Sequence, residues 1–182
     1  MEAAPQHCRG RLHYCYVVPT LFLLIGLPGA GKTTLARRLE TEYAALRLTP
    51  DEWMTPLFGA GEFGDKRWIL ESRLLWGVAA RALTLGMNVI LDYGCWAGEE
   101  RDLFRSRAAE LGVRFELHVL DVPLDVLWQR LEARNLNLPP DTFPISRAEL
   151  EEWAGWYQVP VPEELAVTEV PPFVSKVWEW QP

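Results

Sequence analysis

A glycine-rich turn near the N-terminus constrains the fold more than any other part of this sequence. Residues 26–33 read Gly-Leu-Pro-Gly-Ala-Gly-Lys-Thr. An unbroken apolar run, residues 21–25, comes directly before the turn, and leucines at helical spacing follow it. Apolar runs without alternation are typical of strands that are buried on both faces of a parallel sheet. The order of strand, glycine turn and helix therefore predicts an α/β fold with residues 21–25 as its central strand.

The same turn fits the phosphate-binding pattern G-x-x-x-x-G-K-[ST]. Its glycines let the backbone wrap, so that N–H groups and the helix N-terminus converge on phosphates. The lysine of this pattern reaches the β- and γ-phosphate oxygens, and the hydroxyl that follows it ligates Mg²⁺. A glycine turn that holds nothing is the alternative, and the strand and helix on either side disfavour it. The predicted P-loop for ATP consists of Gly26, Leu27, Pro28, Gly29, Ala30, Gly31, Lys32, Thr33 and Thr34.

The remaining chain alternates short β-type runs with longer helical runs. The expected further strands are residues 46–49, 88–92 and 114–120, with residues 165–170 as an edge strand. The expected helices are residues 32–43, 67–85, 99–111, 123–134 and 146–157. This alternation predicts a P-loop NTPase fold, a three-layer α/β/α sandwich with a mostly parallel five-stranded sheet and a helical, proline-rich lid.

The lid is expected at about residues 135–157. Residues 135–145 contain three prolines, which exclude a regular helix there. Residues 146–149 read Ser-Arg-Ala-Glu, a capping-box pattern that opens the next helix.

Length and composition favour one soluble domain. The chain has 182 residues, of which 49% are hydrophobic, and this suffices for one core. We expect residues 20–182 to form that domain and residues 1–19 to be an N-terminal extension. Three cysteines are too few for a disulfide framework, and no apolar run reaches the roughly 18 to 20 residues of a membrane helix. The sequence therefore favours a reducing, cytoplasmic setting and no membrane partner.

The charge balance disfavours a polynucleotide partner. Eighteen lysines and arginines stand against 25 aspartates and glutamates, which gives a net charge of −7. Nucleic-acid-binding domains usually show the opposite balance, because their cations must track a row of phosphates. A small basic pocket remains compatible with this composition, and a small-molecule partner is favoured.

Two carboxylates follow expected strands and are candidates for chemistry. Asp92 ends residues 88–92, a position from which a carboxylate can hold the metal through water. Asp51 lies 19 residues after Lys32, at the end of the expected second strand, and would face the same crevice. A carboxylate there can accept the proton of an incoming hydroxyl. The alternatives are a turn or cap role for Asp92 and a helix cap for Asp51.

Two arginines precede the lid and share a helix face. Arg130 and Arg134 are four residues apart, so their side chains point the same way. Their shared face allows them to act together, or it can be a solvated face that pairs with Glu132 or other neighbours.

Taken together, these motifs resemble the small P-loop kinases that include chloramphenicol phosphotransferase, the zeta toxins and the kinase domain of polynucleotide kinase. The resemblance covers residues 21 to about 160 and rests on the P-loop, the aspartate about 20 residues later, the strand Val-Ile-Leu-Asp and the arginine-rich helix before the lid. It implies phosphoryl transfer from ATP to a hydroxyl, with Asp51 as general base. It also implies that Arg130 and Arg134 clamp the phosphates or stack on the adenine.

The acceptor is the least constrained part of this prediction. Polynucleotide kinases of the resembling type carry an arginine three residues after the base, whereas this chain has Met54 there, with Trp53 beside it. An apolar pair suits a small hydroxylated molecule, such as an antibiotic, a nucleoside-like compound or a sugar. Trp96 lies near a strand end and is a second candidate for acceptor contact. A polynucleotide 5′-hydroxyl kinase that uses Arg67 or Arg73, and an ATP-binding regulatory protein without an acceptor, are the alternatives.

Overall fold

The apolar run before the glycine turn forms an inner strand of a six-stranded sheet. We describe a computed structural model of the chain, covering residues 18–59, 65–139, 142–165, 168–169 and 172–179. The strands are β1 (Thr20–Ile25), β2 (Leu46–Leu48), β3 (Val89–Gly94), β4 (Arg114–Asp121), β5 (Thr168–Glu169) and β6 (Pro172–Glu179). Their order across the sheet is β2-β3-β1-β4-β6-β5, and every pair is parallel except β5 with β6.

The helices lie on both faces of the sheet. They are α1 (Lys32–Tyr43), α2 (Pro50–Phe58), α3 (Asp65–Ile69), α4 (Trp76–Thr84), α5 (Gly98–Glu110), α6 (Leu124–Leu136), α7 (Arg147–Trp156) and α8 (Pro162–Leu165). A π-helical segment, Leu70–Leu75, joins α3 to α4. Of the described residues, none belong to a helix with the length and apolar character needed to cross a membrane.

Alternation along β1 divides its side chains between two cores. Leu21 and Leu23 belong to the cluster that α4 and α5 cover, together with Phe104 of α5. Phe22 and Leu24 belong to the cluster that α1, α6 and α7 cover. These four side chains are fully buried. The three-layer α/β/α sandwich predicted from the sequence is therefore confirmed.

The C-terminal part of the sheet differs from the expectation. An edge strand was expected at residues 165–170, as the fifth strand of the sheet. The structure has an edge strand in this range, since the two-residue β5 lies at the edge, antiparallel to β6. Between β5 and β4 it adds β6, which pairs with β4 in parallel register and was not expected. Prolines at positions 171 and 172 obscured this strand, since proline lowers any strand prediction. Pro172 is tolerated because it is the first residue of β6.

The predicted N-terminal extension cannot be compared with the structure. Of residues 1–19, only Val18 and Pro19 belong to the described part of the chain. The predicted lid is described except for residues 140–141, and α6 continues to Leu136 before the proline-rich segment begins.

Candidate active site

The glycine turn wraps at the carboxyl edge of the sheet, between β1 and α1. A Cβ on Gly26 would lie 2.7 Å from the carbonyl oxygen of Leu120, on the neighbouring strand β4. The φ of Gly26 is +142°, a conformation that side-chain-bearing residues rarely adopt. Glycine is therefore required at this position so that the turn can pack against the end of β4.

Lys32 points back into the turn rather than out to solvent. Its Nζ donates hydrogen bonds to the carbonyl oxygens of Gly26 and Leu27, at 2.7 and 3.1 Å. Burial lowers the pKa of Lys32, and the carboxylates of Asp92 and Asp51 oppose that shift. The three residues predicted as phosphate contact, metal carboxylate and base are thus close enough to share one electrostatic environment.

Asp92 lies within β3, a strand in which every residue is buried, and is only 4% exposed. Its Oδ2 accepts hydrogen bonds from the hydroxyls of Thr33, at 2.8 Å, and Thr49, at 3.2 Å. Burial raises the pKa of Asp92, while Lys32 and the two hydroxyls oppose the rise.

These contacts fit the donor set that Mg²⁺ prefers. Mg²⁺ in phosphoryl-transfer sites is usually held by one or two protein oxygens together with substrate phosphates and water. The Thr33 hydroxyl and the Asp92 carboxylate supply such oxygens at the P-loop. Among the described residues no cluster of three or more His, Cys, Asp or Glu side chains is suited to a metal ion.

Asp51 is the second residue of α2 and not its cap, since the helix begins at Pro50 with Thr49 as N-cap. The Oδ1 atom of Asp51 accepts a hydrogen bond of 2.7 Å from Nη1 of Arg67. Its neighbour Glu52 pairs with Arg47 instead. The capping role considered from the sequence therefore does not describe Asp51.

Arg67 is anchored a second time, to Glu71 one turn later. Its Nε donates to Oε1 of Glu71 at 2.9 Å. Glu71 is 7% exposed, and burial raises the pKa of Glu71 to about 7 although Arg67 lowers it. Sequence reasoning named Arg67 as a possible phosphate contact and missed Glu71, because its spacing from Arg67 resembles any surface pair at i and i+4.

The two arginines before the lid have different hydrogen-bond partners, and only Arg130 contacts the turn directly. Nη1 of Arg130 donates to the carbonyl oxygen of Gly29 at 3.2 Å. Nη2 of Arg134 donates to the carbonyl oxygen of Phe143, in the lid, at 3.0 Å. The Nε of Arg134 is buried and has no hydrogen-bond partner among the described residues. Burial lowers the pKa of Arg134, and Asp51 opposes this, so Arg134 also belongs to the cluster.

The apolar pair expected beside the base is divided between surface and core. Met54 is fully buried and belongs to the core cluster under α4 and α5, so it cannot line an acceptor mouth. Trp53 is 41% exposed. The expectation for Met54 is therefore wrong, because α2 turns that side of the chain inward.

Trp96 contacts the P-loop rather than an open pocket. Its Nε1 donates to the carbonyl oxygen of Gly26 at 3.4 Å, the same oxygen that accepts from Lys32. Its ring also packs against Trp153 of α7, with centroids 5.6 Å apart. The buried Arg101 donates to the Trp96 carbonyl oxygen at 3.0 Å and so fixes this loop.

A family model places the chain among known proteins. The AAA_33 family, described as an AAA domain, matches residues 21–160, and the chain therefore belongs to this family.

Solved structures share the fold. Kti12 of Chaetomium thermophilum in complex with ADP-AlF3 matches with a TM-score of 0.64 and 19% identity, over 87% of this chain and 89% of that one. The APS kinase CysC of Mycobacterium tuberculosis, in complex with AMPPNP and APS, matches with a TM-score of 0.54 and 25% sequence identity. The match covers 64% of this chain and 73% of that one. A chain of the Pnkp1/Rnl/Hen1 RNA repair complex matches with a TM-score of 0.66 and 23% sequence identity. The match covers 76% of this chain but only 44% of that one.

The raised pKa of Glu71 predicts a specific pH dependence of stability. Between its ordinary pKa of 4.5 and about 7, the folded protein holds a proton that the unfolded chain has lost. Stability should therefore fall as pH rises through this window, by about 3 kcal/mol from this group. Because glutamine cannot ionise, the stability of Glu71→Gln should not fall over this pH range. Urea unfolding of both proteins at pH 5 and pH 8 measures it, and identical pH dependence would show that Glu71 titrates normally.

Proposed function

We propose that the protein is an ATP- and Mg²⁺-dependent phosphotransferase that moves the γ-phosphate of ATP to a hydroxyl. The observation that carries this proposal is the geometry at the glycine turn, where Lys32 bonds to the carbonyls of the turn and Asp92 accepts from Thr33, with Asp51 and Arg134 near enough to affect the pKa of Lys32. A phosphoryl-transfer site needs little more than positioning and charge stabilisation. The AMPPNP and ADP-AlF3 complexes of proteins with the same fold support the nucleotide part of the proposal.

Each residue has a distinct role in this proposal. The P-loop amides bind the phosphates, and Lys32 exchanges its carbonyl contacts for phosphate oxygens. Thr33 and Asp92 would hold Mg²⁺, which neutralises charge on the β- and γ-phosphates when bound. Asp51 takes the proton of the acceptor hydroxyl on the carboxylate oxygen that Arg67 does not engage. Arg134 offers its buried Nε to the transferring group.

The acceptor is proposed to be a small hydroxylated molecule, such as an antibiotic, a nucleoside-like compound or a sugar. The net charge of −7 disfavours a row of phosphates. Arg67 already contacts two carboxylates, Asp51 and Glu71, so it is poorly suited to capture a phosphate. The match to the APS kinase CysC, whose structure contains the small molecule APS beside AMPPNP, supports this class.

The experiment that tests this proposal also distinguishes it from two alternative functions. The first is polynucleotide 5′-hydroxyl phosphorylation, since one structural match is a chain of an RNA repair complex. The second is ATP binding without an acceptor, as in a regulatory protein. Labelled ATP should be offered together with 5′-hydroxyl oligonucleotides and a library of small alcohols. We expect label on a small alcohol. Labelled oligonucleotide, with a rate that falls steeply with salt, would contradict this, and ATP binding without any product would favour the regulatory protein.

Asp51→Asn should separate the proton-accepting role from nucleotide binding. The change is nearly isosteric, so we expect the affinity for ATP to stay within about twofold while kcat falls about 10²- to 10⁴-fold. Glu52→Gln is the matched control, because Glu52 pairs with Arg47 and not with Arg67. Turnover and ATP affinity of both variants measure the difference. An equal loss of kcat in Glu52→Gln would mean that Asp51 acts only through general charge.

Arg134→Ala should lower the rate more than the stability. Removal of one cation aimed at the transferring phosphoryl group typically costs about 10²- to 10³-fold in rate. Arg147→Ala is the control, because Arg147 lies on the exposed side of α7 and pairs with Glu151. Turnover and melting temperature should be measured for both. Wild-type turnover in Arg134→Ala would remove this residue from the site.

A further inference from the structure

A chain of ion pairs connects the proposed base to the protein interior. We propose that Glu71 is a positioning residue that fixes the Arg67 guanidinium and, through it, the Asp51 carboxylate for phosphoryl transfer. This inference rests on the proposed function, since it takes Asp51 as the base. It adds a residue to the machinery that neither the P-loop pattern nor the resemblance identified.

The geometry of Arg67 supports this role. Its Nη1 donates to Asp51 at 2.7 Å, and its Nε donates to Glu71 at 2.9 Å. Because the guanidinium is planar and rigid, contacts through two different nitrogens fix both its position and its orientation. A single contact to Asp51 would leave the long arginine side chain free to rotate. Glu71 therefore supplies the second point that defines where the Asp51 carboxylate is held.

Exposure decreases along this chain toward Glu71. The side chain of Asp51 is 40% exposed, that of Arg67 is 27% exposed and that of Glu71 is 10% exposed. The reacting end thus faces the solvent side, where an acceptor can enter, and the fixed end lies in the protein. This order is expected when a buried residue positions a base that lies near the surface.

The backbone around Glu71 is itself fixed. Glu71 lies in the π-helical segment Leu70–Leu75, and single π turns occur often at functional sites. The Tyr93 hydroxyl, from β3, donates to the Glu71 carbonyl oxygen at 3.5 Å. Arg107, from α5, donates to the Ser72 carbonyl oxygen at 2.9 Å. Two elements therefore hold the turn that carries the anchor.

A purely structural ion pair is the competing explanation. Buried ion pairs contribute little net stability, because desolvation offsets their attraction. Arg147 and Glu151 form the same pair of atoms, Nε to Oε1, at the same spacing and at 2.8 Å, but both side chains are exposed. That pair touches no proposed catalytic group and so provides a matched control for Glu71 and Arg67.

Several charged or titratable groups surround Glu71. They are Arg67 and Asp51 on the acceptor side, Glu100 of α5, and Tyr93 and Cys95 at the end of β3. Burial raises the pKa of Glu71 to about 7, with Glu100 and Asp51 adding to the rise and Arg67 opposing it. The anchor should therefore strengthen as pH rises through neutrality, when Glu71 becomes charged.

The test compares Glu71→Gln with Glu151→Gln in the full chain, with an acceptor from the small-alcohol screen. We expect Glu71→Gln to lower kcat about tenfold or more, with KM for ATP within about twofold, and to flatten the rise of kcat between pH 6 and 8. Glu151→Gln should match the wild type. In an Asp51→Asn background, Glu71→Gln should add less than about twofold, because both changes act on one unit.

Other results would overturn the proposal. One is a folded Glu71→Gln protein with wild-type kcat. The other is a loss of kcat that is restored when the variant is cooled well below its melting temperature, because the loss then reflects unfolding. Wild-type kcat in Asp51→Asn would instead refute the role of Asp51 as the base. The contact between Glu71 and Arg67 is then tested separately through the ¹⁵Nε resonance of Arg67. This resonance should shift with an inflection near pH 7 in the wild type, which can be measured even if Glu71→Gln fails to fold. A resonance that does not shift over that range would overturn the anchor.

Discussion

Burial of charge at the carboxyl edge of the sheet is the constraint on which the rest of this structure depends. Lys32 and Asp92 lie where lost hydration opposes their charged forms, as the directions of their pKa shifts show. An unpaired charge in such a place costs several kcal/mol. The turn supplies the carbonyls of Gly26 and Leu27 to the lysine, and two hydroxyls reach the aspartate. The close approach of Gly26 to β4 brings these partners together.

The elements that could be predicted from sequence have local determinants. The strand, turn and helix around the P-loop follow from contiguous residues, and α1 has the predicted bounds, Lys32–Tyr43. The capping box at Ser146 is confirmed, since the backbone N–H of Glu149 donates to the Ser146 hydroxyl at 3.2 Å. Helix α7 consequently begins where its sequence pattern places it. The relative placement of Asp51 and Asp92 followed from the rule that parallel strands meet at one edge.

The features that could not be predicted depend on contacts between distant segments. Met54 was expected at an acceptor mouth because the sequence does not reveal which side of α2 faces the core. Glu71 is polar and would ordinarily be exposed, yet it is buried in a π-helical segment that accepts hydrogen bonds from Tyr93 of β3 and Arg107 of α5. A π-helical segment adds a residue to one turn, and no simple periodicity marks it. Strand β6 was obscured by its prolines, although its pairing with β4 spans seven positions.

The two sides of the site are therefore built by different means. In the proposed function, the phosphate side is formed mainly by contiguous residues of the glycine turn, including Lys32 and Thr33, together with Asp92. The acceptor side depends on side chains, with Asp51 held by Arg67 and Arg67 held by Glu71. An acidic chain can combine the two because three of its cations lie at this edge, where Arg67 and Arg134 act electrostatically on Lys32. Phosphate binding can therefore be predicted from a sequence motif. The identity of the acceptor depends on the side chains around Asp51, which no motif specifies.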